Sequence, residues 1–349
     1  MGEYVGFDVS KEETSFCVKD ASGTTLARGK TVTDPAALFA AMKEHCLCPE
    51  RIVLETGSMS SWLWHGLSAH GLPVVCVDAR QAHAVMKLQH NKTDAGDAEL
   101  LAELARTGFY RQVAVKSPRA LEIRGLLVAR AQLVRRRRDL DNAIRGILRS
   151  FGVRLPRGTG RFCERVQAAL QEHADLALFI GPLLEGRNGL QRASAKLDRE
   201  VSGRAKKDAV CRLLMTAPGV GPVTALAYVG TIDDPGRFAK SRSVGAYVGL
   251  TSRRFQSGEM DYSGRISKQG DALLRTCLFE AANSLLIRSR RANPLKTWAR
   301  RLHKRLGHKK ACVALARKLA VVLHRMWVSG TAFQWPAENS KGAELMTTP

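Results

Sequence analysis

Apolar residues along this chain keep two different rhythms, and the change near residue 116 limits the possible folds more than any other feature. Before it, short apolar runs alternate with turn residues. Residues 4–10 (YVGFDVS), 14–20 and 24–32 read as three strands, the last two parted by Asp20-Ala21-Ser22-Gly23. Asp34 followed by Pro35 is a helix start, an N-cap acid before a proline at the first helical position, and the pattern runs to about His45. A strand over RIVLETG (51–57), a helix through Trp62 and Leu67, and a strand over PVVCVDA (73–79) follow. Helical patterns lie near 80–87 and 94–107. Three strands and then alternating helices and strands predict a mixed α/β sheet domain over 1–115.

Beyond that point Leu126, Leu133, Leu140 and Ile147 recur every seven residues, with Ile123 and Ile144 on a companion row. Arg130 and Arg137 interrupt the companion row, so the coiled-coil-like seam is imperfect. Leu190, Leu197 and Val201 suggest a second helix after the breakers Gly181-Pro182. Two long antiparallel helices over 116–205, serving a dimer or a spacer arm, fit the pattern, as does an ordinary helical bundle. Residues 206–330 read as a mostly helical domain, with helix, turn and helix over LLMTAPGVGPVTA (213–225), and 331–349 as a disordered tail beginning in earnest at Pro336.

Charge follows the same division. Residues 1–115 hold 11 Lys+Arg against 14 Asp+Glu, whereas 116–349 hold 44 against 18. An excess of that size repels itself unless a polyanion neutralises it, so nucleic acid is the leading partner; a solubility surface or a membrane-surface patch is the bland reading. With 45% hydrophobic residues the chain is not disordered. Its most apolar late stretch, Ala311 to Val328, is broken by Arg317, Lys318, His324 and Arg325, and Glu3 and Asp8 stand where a signal peptide needs other residues. A soluble cytoplasmic protein, with no membrane partner, is expected. The eight cysteines form no CxxC pair and read as reduced core residues; His45-Cys46-Leu47-Cys48 has no second ligand pair at zinc spacing.

Four carboxylates stand out by position. Asp8 lies inside the first strand among apolar neighbours, where an acid is costly unless it has a task. Glu55 closes the strand RIVLE, and Asp94 and Asp97 open a helix in KTDAGDAELL, three residues apart. Strand ends and helix starts meet at the carboxyl edge of such a sheet. Gathered there, four acids repel one another unless a hard divalent cation joins them, and Mg²⁺ takes oxygen ligands and bridges to phosphate. Singly, the same acids also read as a turn acid, a strand-end surface residue and helix-start charges.

GFDVSK, LETG and KTDAGDAELLA resemble the DEDD motif of RuvC-like, ribonuclease-H-fold transposases of the IS110 insertion-sequence family, which includes the Piv-type site-specific DNA invertases. The resemblance runs over roughly 1–330. It implies that Asp8, Glu55, Asp94 and Asp97 are catalytic acids that bind Mg²⁺. It also implies a RuvC-like mixed sheet domain, a helical coiled-coil spacer and a mostly helical carboxyl-terminal transposase domain. APGVGPVTALAYVG resembles the family's second half, with a helix-hairpin-helix-like turn at Pro218 to Pro222. There Gly219 and Gly221 let backbone N–H groups approach a DNA phosphate, unless the turn simply joins two packed helices.

The segment GLTSRRFQSGEMDYSGRISKQGDALLR (249–275) is crowded with hydroxyls and cations. A serine that attacks phosphorus needs a pliant backbone, cations for the phosphate and help in losing its proton. Ser257 has Gly258 after it, Arg253 and Arg254 before it, and Arg265 and Lys268 beyond. No histidine lies between 174 and 302, so a neighbouring base of the Ser–His kind is absent from the local sequence. The resemblance implies that Ser257 is the family's serine in its Q/S-S-G context, acting with the acids over one phosphate through a phosphoserine. Many relatives have proline after GLT or GLV where this chain has Ser252, which is thereby a rival hydroxyl; Ser263 and Ser267 are weaker ones.

Cations for a nucleic-acid backbone recur in Arg135, Arg136, Arg137 and Arg138, four around one helical turn, and in RSRRANPLKTWARRLHKRLGHKKA (288–311), which carries Arg300, Arg301 and Lys304. Trp298 there fills the core or stacks on a base. No helix shows a base-reading set of side chains. The resemblance implies double-stranded donor and target DNA, a noncoding guide RNA from the element, and a homodimer or homotetramer acting at the bacterial nucleoid. A DNA recombinase is thus the leading expectation; a hydrolytic RuvC-like endonuclease and a non-catalytic nucleic-acid-binding scaffold are the alternatives.

Overall fold

The short alternating runs become strands, because each buries one or both faces under helices. A computed structural model describes residues 2–46, 48–87, 93–156, 158, 160–289, 291 and 293–335. It divides into two units, Met1–Lys116 and Ser117–Pro349.

In the first unit β1 (Glu3–Val9), β2 (Glu13–Lys19), β3 (Thr25–Val32), β4 (Pro49–Glu55) and β5 (Val74–Val77) form one sheet in the order β3-β2-β1-β4-β5. The first three pair antiparallel; β4 and β5 run parallel to β1. That is the mixed α/β sheet expected. On one face α1 (Pro35–His45) and α2 (Ser60–Ala69) bury Leu38, Met42, Leu63 and Leu67 against Val5, Phe7, Ile52 and Leu54. The Asp34 carboxylate caps α1 by accepting from the N–H groups of Ala36 and Ala37. On the other face α3 (Ala79–Met86) and α4 (Asp94–Thr107) cover Val53 and Val77 with Ala82, Leu101, Leu104 and Ala105. Thr93 caps α4 and Gly108, at φ 69°, ends it.

The second unit begins with a helical hairpin. α5 (Pro118–Ser150) and α7 (Ala177–Lys207) run antiparallel, pairing Arg130 with Asp198 and, farther out, Asp141 with Arg187. α6 (Phe162–Glu172) closes its tip, where Ile144, Leu148, Phe162, Val166 and Ile180 share a small core. The expected heptad row, Leu126, Leu133, Leu140 and Ile147, is only half-buried; the buried row is Ile123, Leu127, Asp141, Ile144 and Leu148. The second long helix starts before Gly181-Pro182, and Pro182 lies inside it.

At its base this hairpin is part of a larger core. Ile123, Leu127, Val201 and Ala205 pack with α8 (Ala209–Leu214) and the apolar α9 (Pro222–Ile232). α10 (Ser243–Tyr247), α11 (Ala272–Ile287), α12 (Pro294–Leu306) and α13 (His308–Ser329) complete that core. Tyr228 of α9 is fully buried and donates its hydroxyl to the carbonyl of Ala320, 2.7 Å away. Between α10 and α11, β6 (Ser252–Ser257) and β7 (Met260–Ile266) form a separate two-stranded hairpin. Past α13, Phe333 packs on the core and its N–H reaches Thr216 Oγ1 at 2.9 Å, so the segment expected as tail from 331 is anchored through its first residues. Residues 336–349 lie outside the described residues. No helix among the described residues is long and apolar enough to cross a membrane.

Candidate active site and nucleic-acid interface

Strand register places the first two acids. Phe7 pairs with Leu54 in the parallel β1–β4 ladder, so Asp8 and Glu55, one residue on, stand beside each other at the carboxyl edge of the sheet. Alternation fixes their face. Asp8 follows Gly6 by two residues, and a Cβ on Gly6 would meet the Ala98 carbonyl oxygen at 2.2 Å, so this side of β1 looks at α4. Glu55 follows Val53, which packs on Leu101 of the same helix.

Asp97 is one turn before Leu101 and is 5% exposed. Among the described residues its carboxylate has no ion pair and no side-chain hydrogen bond. Asp94, at the start of α4, is different: its side chain is 59% exposed and its Oδ2 lies 3.2 Å from Lys30 Nζ. Three of the four acids thus share one face and one edge, and the fourth stands on the rim with a lysine. His83 of α3 comes within 3.8 Å of Glu55 Oε2, a neighbour that its distance in sequence concealed.

An all-carboxylate set has the chemistry of a hard divalent cation, and a buried carboxylate without a protein cation fits that role. Among the described residues, however, no three His, Cys, Asp or Glu side chains are gathered closely enough to hold a metal ion. The donors fit the ion in kind; among the described residues they do not form a closed cage.

In the second unit Ser257 ends β6 and pairs with Met260 across a two-residue turn. Gly258, at φ 54°, takes the first turn position, which favours glycine in hairpins of this length. Ser257 is exposed. Arg254 is bound to both oxygens of Asp261, Nε to Oδ1 at 2.8 Å. That guanidinium holds the Asp261 carboxyl below its ordinary value. Arg253 instead reaches the Ser267 carbonyl at 3.4 Å.

A cavity of about 1090 Å³ lies between β7 and α13. Among the described residues six cations line it, Arg265, Lys268, Lys309, Lys310, Arg317 and Lys318, and no acid does, over a floor that includes Leu250, Val313 and Trp298. Lys318 Nζ sits 4.6 Å above the Trp298 ring, so Trp298 is both wall and core. Lys268 holds a left-handed backbone, φ 55°, at the cavity wall. Ser252 and Ser263, two of the three rival hydroxyls, line this cavity. Arg317 and Lys318 read in the sequence only as breaks in an apolar run. Their spacing from Lys310 and Ala314 puts them on one helical face, the signal that could have found them.

Arg300, Arg301 and Lys304 line a second cavity of about 580 Å³ with His303 and His308. Of the four consecutive arginines, Arg135, Arg136 and Arg138 are exposed, whereas Arg137 is half-buried and donates to Gln191. Gly219 has φ 82°, and a Cβ there would meet the Ala281 carbonyl oxygen at 2.3 Å, so the turn and a close approach to α11 both require glycine. Gly221 has open space around it.

Folding also creates a Ser–His contact that the sequence hides. His324 is buried, with Nε2 3.0 Å from the Pro235 carbonyl and Nδ1 2.9 Å from Ser241 Oγ. Because a carbonyl only accepts, Nε2 donates to Pro235, and Nδ1 shares a hydrogen bond with the Ser241 hydroxyl. The contact ties residues 235–241 to α13.

A family model described as transposase, of the DEDD IS110 type, matches residues 5–152, and one described as transposase of the IS116/IS110/IS902 family matches 211–297. The transposase for insertion sequence element IS1111A of Coxiella burnetii is 29% identical over 91% of this chain and 88% of its own. A probable family 20 transposase of Pseudomonas aeruginosa is 32% identical over 70% and 74%. The transposase for insertion sequence element IS1328 of Yersinia enterocolitica is 26% identical over 94% and 98%.

Proposed function

Because the chain belongs to the IS110 family of transposases, we propose that it exchanges DNA strands through a phosphoserine on Ser257. The observation that carries this reading is the placement of Ser257, exposed on a Gly258 turn at the end of a hairpin whose strands bear Arg253, Arg254 and Arg265. In the first step Ser257 Oγ bonds to phosphorus, the bond from phosphorus to one deoxyribose oxygen breaks, and the Oγ proton ends on that leaving oxygen. In the second, the hydroxyl of another DNA end bonds to phosphorus and Ser257 recovers its proton. One phosphodiester is exchanged for another, so no nucleotide triphosphate is consumed.

Asp8, Glu55, Asp94 and Asp97 hold Mg²⁺ in this reading; bound there, the ion supplies positive charge against the phosphate. The cation-lined cavities hold DNA backbone away from the cut. A guide RNA from the element supplies target sequence, which suits a chain broadly basic but without a base-reading helix.

The test uses the full chain, DNA spanning the element and its flanks, and RNA transcribed from the element. The expected result is a protein–DNA adduct that survives denaturation, lost in Ser257→Ala, in Asp8→Ala and with chelator. Free cut ends from an active Ser257→Ala would instead establish metal-assisted hydrolysis. Unchanged activity of every kind in Asp8→Ala would leave only a binding scaffold.

A further inference from the structure

Strand alternation gives the β6–β7 hairpin two faces. Arg254 and Asp261 occupy one. Phe255 and Tyr262 occupy the other as a directly opposed cross-strand pair, and Ser257, two residues after Phe255, shares their face opposite Met260. The two rings stack, 5.1 Å between centroids and 20° between planes. Yet they remain in solvent: Phe255 is 45% exposed, Tyr262 57% and Met260 64%. A two-stranded hairpin is marginal by itself in water, and an exposed aromatic pair on it has no return within this chain. Gly264 makes room for the platform, since a Cβ there would stand 2.9 Å from Phe255 Cε2. The hairpin's other charges are Arg253, Arg265 and Glu259; Asp261 is neutralised by Arg254. The balance favours an anion with flat apolar faces.

We propose that Phe255 and Tyr262 are a stacking platform for unpaired nucleobases of the DNA strand being cut. The proposal rests on Ser257 as the attacking residue. A stacked ring pair covers one face of each ring and leaves the opposite faces for bases. Two residues of strand separate Phe255 from Ser257 by about 6.6 Å, a distance one unstacked nucleotide can span, so a base on the Phe255 ring brings its adjoining phosphate to the serine. A closed duplex keeps its bases stacked inside; the occupant is therefore a strand opened at the cut. Stacking accepts every base, in keeping with a chain that lacks a reading code.

The experiment measures binding of the full chain to single-stranded DNA carrying one 2-aminopurine, whose fluorescence is quenched by stacking. Phe255→Ala and Tyr262→Ala are each expected to weaken binding roughly tenfold and to abolish the quench. Phe255→Trp keeps both. Phe255→Leu, which retains apolar bulk and hairpin packing, loses the quench. Ser257→Ala keeps the quench while the covalent adduct disappears, so failure of the platform and failure of the serine are separable. Unchanged quench and affinity in both alanine variants would overturn the proposal. So would an alanine variant that binds DNA normally but loses self-association in light scattering, because the pair would then belong to a protein interface.

Discussion

Gly6 owes its identity to a helix. A Cβ at this position would lie 2.2 Å from the Ala98 carbonyl oxygen and 2.3 Å from the Ala102 nitrogen, both backbone atoms of α4. The helix that carries Asp97 therefore rests directly on the strand that carries Asp8. Gly6→Ala is expected to destabilise the first unit by about 1–3 kcal/mol, as overpacked cores do, and to depress strand cleavage as well, because α4 must move. Gly57→Ala, with nothing within 4 Å of its added Cβ, is the neutral control; urea midpoints of both variants check the pair. The cysteines allow a second residue-scale prediction. Burial, helped by the Glu3 carboxylate 3.1 Å away, pushes Cys46 up to about 12. Burial pushes Cys76 and Cys277 to about 11 and Cys211 to about 12. The thiolate is the reactive form, so raised values keep these four protonated and inert at pH 8. Exposed Cys48 is expected to alkylate first, and the four only on unfolding, as read by mass spectrometry along a urea series.

At the scale of elements, the helical hairpin shows where the sequence stops being readable. The strands and helices of the first unit were legible because their signals are local: period-two runs, Asp34 before Pro35, and acids opening α4. Pro182 misled because a breaker in the second turn forfeits only the bond to the Leu178 carbonyl, and Leu178 is 85% exposed, so water can serve that oxygen. The interrupted seam was visible, but not what fills it. Arg130 and Arg137 meet Asp198 and Gln191, and buried Asp141 meets Arg187 at 2.9 Å, partners more than forty residues away. The acids were findable at strand ends, whereas the cavity cations come from β7, the segment just after it and α13, and meet only after folding. Asp141→Ala would leave Arg187 charged and buried without its partner, which costs about 3–5 kcal/mol. Asp141→Leu with Arg187→Met removes both charges and is expected to recover most of that loss. Thermal melts of the two variants against the parent decide it; equal destabilisation of both would show that packing, not charge, sets the cost.

Across the whole molecule, charge is divided as sharply as structure. Residues 1–115 carry a net −3, and residues 116–349 a net +26, by counts of Lys+Arg against Asp+Glu. The acidic edge belongs to the nearly neutral part; both cation-lined cavities belong to the basic part. Affinity for nucleic acid should then come from the second unit and fall steeply with salt, because each phosphate neutralised releases condensed counterions. The slope of log K against log salt changes by about 0.9 for each duplex phosphate that a cation no longer neutralises. Lys309 and Lys310 line the larger cavity, so Lys309→Ala with Lys310→Ala is expected to flatten that slope by roughly two units if each lysine holds one phosphate. Lys11→Ala, exposed on the first unit, should leave it unchanged. Fluorescence anisotropy on one duplex across a salt series measures all three proteins. A double variant with the parent slope would mean that the cavity does not meet the backbone, and that the excess charge is spent elsewhere on the second unit.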